Sequence, residues 1–244
     1  IFYADFRPVI FPSWPASATE HAVWAYIVSA VLIVAGLAIV FEKRAREVSL
    51  ILGGFFLILL LLGQVPYEVL VDPYSNHLGT WTNPLKELVL AGGAFAVAGS
   101  LPSKVGRDEK QPVVITALEK FIPFGGVFMA ITMILFGVSH FLYPQFVSTL
   151  VPNWMPGHLF WTYFAGVALI GAGAGIILNI KLKLNALLLG AMIFTWFIVL
   201  HIPRAIADPY HDKGNEVTSV FEALGFSGIA FIVAFGYRTR KSTP

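Results

Sequence analysis

From Phe121 to Ile180 the chain contains no Asp, Glu, Lys or Arg. A stretch that long without a charge has too little polar surface to face water, and it limits the possible folds more than any other feature. The rest of the 244 residues follows suit, with 57% hydrophobic and 12% charged. An ordinary globular domain carries about 25% charged residues. The 21 Phe, 8 Tyr and 6 Trp also exclude disorder, because disordered chains are poor in such residues. Lipid is therefore the expected solvent.

A helix needs roughly 20 apolar residues to cross ~30 Å of hydrocarbon. Seven such runs are present, near 22–41, 48–67, 85–101, 123–143, 159–179, 184–203 and 217–237. Barrel strands would alternate over about ten residues, whereas these runs are continuous. The expected fold is all-α and polytopic. Cysteine is absent, which excludes a disulfide, a thiolate metal site or a thiol redox couple within this chain. The net charge of +2 is too small to suggest a nucleic-acid partner.

The few basic residues orient the spans. With the faces of the membrane labelled X (N-terminal) and Y, every Lys and Arg except Arg7, Lys86, Arg204 and Lys213 falls on Y. The positive-inside rule makes Y cytoplasmic and X external. Tryptophan is biased the other way: Trp14, Trp24, Trp81, Trp154 and Trp161 belong to X, and Trp196 lies in the X half of its helix.

The chain also repeats itself. With an offset of 137, His21, Trp24 and Tyr26 meet His158, Trp161 and Tyr163. Leu52-Gly53 meets Leu189-Gly190, and Pro66 meets Pro203. After short deletions, Asp72-Pro73-Tyr74 meets Asp208-Pro209-Tyr210, and Glu87 meets Glu222. Upstream, Tyr3, Phe6, Pro12 and Trp14 meet Tyr143, Phe146, Pro152 and Trp154. The organisation expected is two tandem four-helix bundles in parallel orientation. The first repeat spans 1–101, a charged cytoplasmic linker 102–120, and the second repeat 121–244. The helix 123–143 has no counterpart in the first repeat, so an eighth helix is expected before Ile1. Gly171 and Gly175 stand in G-x-x-x-G spacing and are expected to be packing residues.

The second repeat carries Gly137-x-x-His140-Phe141, then Val151-Pro152-x-Trp154-x-Pro156-x-His158-Leu159-Phe160-Trp161, and a glycine-rich run after Tyr163. Over roughly 121–237 this resembles the DoxX family of small bacterial membrane proteins. The resemblance implies a four-helix bundle in the bacterial inner membrane. It also implies association with membrane redox systems, such as quinone-linked oxidation of sulfur compounds and oxidative-stress complexes. Some relatives partner with cysteine-bearing proteins. The doubling, and Gln64 at the position of His201, depart from a single-unit member.

The candidate site lies at the X ends. In the second repeat His140 closes one helix, His158 opens the next, His201 closes the third and Glu222 lies near the start of the fourth. Trp161 is three residues from His158 and shares its side of the helix; Tyr163 follows. The first repeat offers His21, Trp24, Tyr26, Gln64 and Glu87. Ionisable groups facing lipid are expensive, so these are expected to face the bundle interior.

Three readings follow. His140, His158 and His201 with a carboxylate suit a metal or haem. An aromatic-lined pocket with a few polar groups suits a quinone or a lipid. Alternatively, interfacial His, Trp and Tyr anchor the helix ends. Asp72 and Asp208 read as turn residues, and Glu87 and Glu222 as N-terminal caps, Glu222 being deep for a cap. The uncharged loop 144–157 is expected to lie at the interface and roof its unit. The overall expectation is an accessory or quinone-proximal subunit of a larger membrane redox complex, with lipid and other membrane subunits as partners. It is not expected to be catalytic on its own, because it lacks a P-loop and a dinucleotide fingerprint. A small-solute transporter and a structural lipid-binding subunit are the alternatives.

Overall fold

The structure, a computed structural model, describes residues 6–12, 14, 22–103, 111–210 and 213–236. His21, His211, Lys104, Arg107, Lys110, Arg238, Arg240 and Lys241 lie outside the described residues, as does much of the expected linker. The chain is an all-α, multi-pass membrane protein. Its helices are α1 (Ala22–Val40), α2 (Ala45–Leu59), α3 (Val65–Leu70), α4 (Thr82–Ser100), α5 (Val113–Glu119), α6 (Gly125–Leu142), α7 (Pro144–Ser148), α8 (His158–Ile177), α9 (Leu182–Trp196), α10 (Ile202–Ala207) and α11 (Asn215–Gly236). Single π turns, Leu60–Gln64 and Phe197–His201, join α2 to α3 and α9 to α10.

Six helical stretches among the described residues are long and apolar enough to cross a membrane. The expected span 85–101 is the exception. It corresponds to α4, which has the length but carries Asn83, Lys86 and Glu87 in its first two turns. More than half of α4 is buried against protein, including Glu87 and the run from Ala91 to Ala96. A helix wrapped in other helices is not selected by lipid, which is why its composition falls short of a span.

The backbone repeats at the offset seen in the sequence. α1 and α8 end in the same motif. Lys43 N–H donates to Ala38 O at 2.8 Å and Glu42 N–H to Ile39 O at 3.1 Å. Ile180 N–H donates to Gly175 O at 2.9 Å and Asn179 N–H to Ile176 O at 3.2 Å. These are Schellman pairs, which satisfy the last carbonyls of a helix. Glu42 (φ 54°) and Asn179 (φ 54°) hold the left-handed position in each, and Arg44 (φ 52°) and Lys181 (φ 44°) repeat it before the next helix. In both units a phenylalanine ring from the last long helix covers a glycine. Phe95 lies over Gly53 and Phe231 over Gly190, each so close that an added Cβ would stand 2.8 Å from the ring.

The contacts divide the chain into compact units 1–128 and 129–244. This differs from the expected boundary at 102–120. Residues after 112 pack on the first unit because they complete its core. Ile115 joins Leu50, Phe95 and Ala98, and Leu118 and Ile122 pack around them. Arg46 holds the Y end together. Its Nη1 donates to Ala98 O at 2.6 Å and to Leu101 O at 2.9 Å, at the C-terminus of α4. Its Nη2 donates to Glu119 Oε1 at 2.9 Å. A cation is favoured at that pole of a helix.

The second unit pairs α6 with α8 through small residues. An added Cβ on Gly137 would stand 2.7 Å from Gly166 O, and one on Gly173 would stand 2.7 Å from Ala130 O. Gly171, expected to be a packing residue, has open space around it. The close approach belongs to Gly166 and Gly173 instead. Gly175 does pack, against the Asn185 side chain. Gly137→Ala is therefore expected to destabilise the unit by about 1–3 kcal/mol, since backbone cannot yield, while Gly171→Ala is silent. Thermal unfolding of the two variants in detergent compares them directly.

Candidate functional site

The site geometry begins with two prolines. Pro66 and Pro203 lack the N–H that would bond to the carbonyl four residues back, and their rings crowd that carbonyl. The chain widens by one residue just before each proline. Val65 N–H bonds to Leu60 O, and Ile202 N–H bonds to Phe197 O. Such π turns cluster at functional sites. The residue that closes each is a sequence candidate, Gln64 in the first unit and His201 in the second.

In the first unit Gln64 is buried and its Nε2 donates to Pro8 O at 2.6 Å. The N-terminal segment thus crosses the end of α2. Phe11 lies over Gly63, and Trp14 meets the Tyr67 ring edge-on at 5.8 Å. One turn further, Glu68 is only 4% exposed, and its Oε2 has no hydrogen-bond partner. Asp72 then ends the segment. Its Oδ1 accepts the Tyr74 N–H at 2.7 Å, an Asx turn. The following loop folds on itself. Trp81 Nε1 donates to Ser75 O at 2.8 Å, Thr80 Oγ1 to His77 O at 3.0 Å, and Thr82 Oγ1 to Gly79 O at 2.7 Å. Between these parts lies a cavity of about 290 Å³ that a few ordered molecules of solvent size would fill. Pro8, Pro12, Gln64, Tyr67, Glu68 and Asp72 supply one side of it, and Gly79, Thr80, Thr82 and Asn83 the other.

Glu87 does not line that cavity. It is fully buried and neither carboxyl oxygen has a hydrogen-bond partner. It is the sixth residue of α4, past the unpaired N–H groups of the first turn, so it does not act as the expected cap. Trp24 and Tyr26 differ from expectation as well, because both are exposed on α1 rather than turned inward. Aromatic rings with a polar tip are at home in the membrane interface, and no desolvation penalty drives them inside.

In the second unit His140 is half-buried. Its Nδ1 lies 2.8 Å from Phe136 O, so that nitrogen donates and Nε2 is left as an acceptor. His158 opens α8, and its carbonyl accepts Thr162 Oγ1 at 2.9 Å. Trp161 Nε1 donates to Pro156 O at 3.1 Å, which ties the loop after α7 to α8. Around Trp161 the rings gather. Phe160, Phe164 and Trp196 have centroids 5.3, 5.8 and 6.1 Å from it, all edge-on. Phe160 stacks on Phe164, and Tyr163 stacks on Phe141 at 5.5 Å. Phe160, Tyr163 and Phe164 are exposed, so this is an outward aromatic face and not an interior pocket. His201 and Glu222 are half-buried, each with interactions of its own.

Among the described residues, no three His, Asp or Glu side chains gather closely enough to hold a metal ion. His140, His158 and His201 share one end of the unit without forming a common ligand set. The reason is local. His140 is tied to its own helix and packed beside Gly166.

Two features escaped the sequence reading. Glu68 is the lone acid in an otherwise apolar run, a pattern that by itself flags a functional residue. The second is an ion pair, Arg204 Nε to Glu216 Oε2 at 2.9 Å and Arg204 Nη2 to Glu216 Oε1 at 2.6 Å. It spans the end of α10 and the start of α11, two neighbouring helix ends of opposite charge. Tyr67 stands at the repeat position of Arg204, so the first unit has no such clamp.

A family model described as "Domain of unknown function (DUF8561)" matches residues 129–221. That stretch runs from within α6 to within α11, inside the second unit. No curated protein and no solved structure matches the chain.

The clamp generates a testable expectation. Arg204→Ala or Glu216→Ala leaves the other charge half-paired, and hydrogen bonds to charged groups contribute about 1.5–3 kcal/mol. Each single variant is expected to lower the unfolding temperature, and the exchanged pair Arg204→Glu with Glu216→Arg to recover part of it. Thermal unfolding of all three in one detergent gives the coupling.

Proposed function

We propose that this chain is a DoxX-like accessory subunit of a membrane redox complex in the bacterial inner membrane, with its basic loops cytoplasmic. The observation that carries the reading is the aromatic face on α8. Phe160, Trp161 and Phe164 pack with Trp196 at the end of the unit that His158 opens. A quinone is dissolved in the bilayer and reaches a protein from the lipid side. Its flat ring stacks on aromatic rings, and a histidine N–H at that depth bonds to its carbonyl. The chain has no cysteine, so a partner subunit handles the electrons. This chain holds or presents the quinone.

The same rings would also suit a simple interfacial belt, and one experiment separates the two. The protein is reconstituted in nanodiscs and its tryptophan fluorescence is followed as a short-chain ubiquinone analogue is added. A bound quinone gives saturable quenching that Trp161→Phe reduces and that His158→Ala shifts about tenfold to higher concentration, the size of one lost hydrogen bond. Quenching that rises linearly with quinone, and is equal in the His158→Ala variant, reflects partition into lipid and contradicts the proposal. In that event the face is an anchor and the subunit is structural.

A further inference from the structure

The cavity of the first unit holds a carboxylate oxygen with nothing to bind. Glu68 is 4% exposed, its Oε2 has no hydrogen-bond partner, and it lines the cavity. A buried ionised carboxylate is costly unless it is paired. Asp72, just past the end of α3, lines the same cavity. Among the described residues, no Lys, Arg or His lines the cavity.

Gln64 Nε2 is committed to Pro8 O, and Thr80 and Asp72 hydrogen-bond to the Glu68 carboxyl. Oε2 remains the acceptor without a donor, and two carboxyl groups on one cavity call for a cation that carries its own hydrogens. The dimensions narrow the class. About 290 Å³ is several times the ~30 Å³ share of one water, too roomy for a bare metal ion. Pro8, Pro12 and the Tyr67 ring give it apolar walls as well.

We propose that this cavity binds a small organic primary ammonium. The –NH3⁺ group donates to Glu68 Oε2 and lies near the Asp72 carboxylate. The carbon skeleton packs against Pro8, Pro12 and the face of Tyr67, where an aromatic ring favours a cation. The ligand is a free amine or the headgroup of an aminolipid, which share this chemistry. The site is independent of the quinone reading, because it lies in the other unit and uses none of the same residues.

The test uses the full chain in nanodiscs of phosphatidylglycerol alone, which contain no ammonium, with ethanolamine as the probe in calorimetry. Saturable binding is expected, weakened about tenfold or more by Glu68→Gln and less by Asp72→Asn, in line with the strength of charge-assisted hydrogen bonds. Glu42→Gln, in the turn between α1 and α2, is expected to leave it unchanged. A repeat in discs containing phosphatidylethanolamine distinguishes the sources. Suppressed ethanolamine binding there identifies the lipid headgroup, and undiminished binding identifies a free amine. The unfolding temperature of each variant shows whether it is folded; should Glu68→Gln not fold, the Asp72→Asn result decides. Absence of saturable amine binding overturns the proposal. Equal affinity in the folded carboxamide variants does the same, as does binding of Ca²⁺ at these residues without amine binding.

Discussion

A proline inside a membrane helix leaves one carbonyl without its N–H, and hydrocarbon offers no water to replace it. The X ends of both units depend on how the chain answers that constraint. At Pro66 and at Pro203 the preceding turn widens, and the bond is made one residue further on. The extra residue changes the direction of every side chain that follows, since a helix advances by 3.6 residues per turn. Gln64 and His201 sit in the widened turn. Glu68 and Arg204 come just after it and owe their aim to it. Before the widened turns, α2 and α9 are held by glycine contacts under Phe95 and Phe231.

The same backbone has been given two different chemistries. In the second unit the segment after the bulge carries Arg204, which Glu216 clamps with two hydrogen bonds. That end is closed by an ion pair, and its aromatic rings face outward. In the first unit the corresponding segment carries Tyr67 and Glu68, and among the described residues no arginine lines the cavity beside the acid. There the end carries a polar cavity, lined in part by the N-terminal segment and by the loop before α4. At this end one unit thus presents a surface and the other a cleft. The two units can differ at such positions because the packing that fixes their helices lies elsewhere.

Much of this was legible in the sequence, and the limits have a physical cause. Length and apolarity located all seven long helices to within a few residues at most ends. The repeated Pro66 and Pro203 marked the equivalence of Gln64 and His201, although not the π turns. What composition does not reveal is which side of a helix meets protein and which meets lipid, since both surroundings are apolar. That is why Gly171 read as a packing residue when Gly166, Gly173 and Gly175 are the ones in contact. It is also why Trp24 and Tyr26 were expected inside, and why α4 read as one more span when it is the most enclosed helix of its unit. Glu68 was visible as a lone acid, but its unpartnered oxygen follows from the fold of segments far apart in sequence. The Arg204–Glu216 clamp likewise joins α10 and α11 across the loop between them.

Both units widen into a π turn in the same register, just before Pro66 and Pro203. The chain has no cysteine of its own, so single cysteines can be placed one at a time across 55–70 and 192–207 and their labelling rates measured in the membrane. Accessibility should follow the helical period of 3.6 residues, slip in phase by about 100°, the turn of one residue, at 60–64, and slip again by the same amount at 197–201. An unbroken period through either proline, or a slip in one unit alone, would contradict the account.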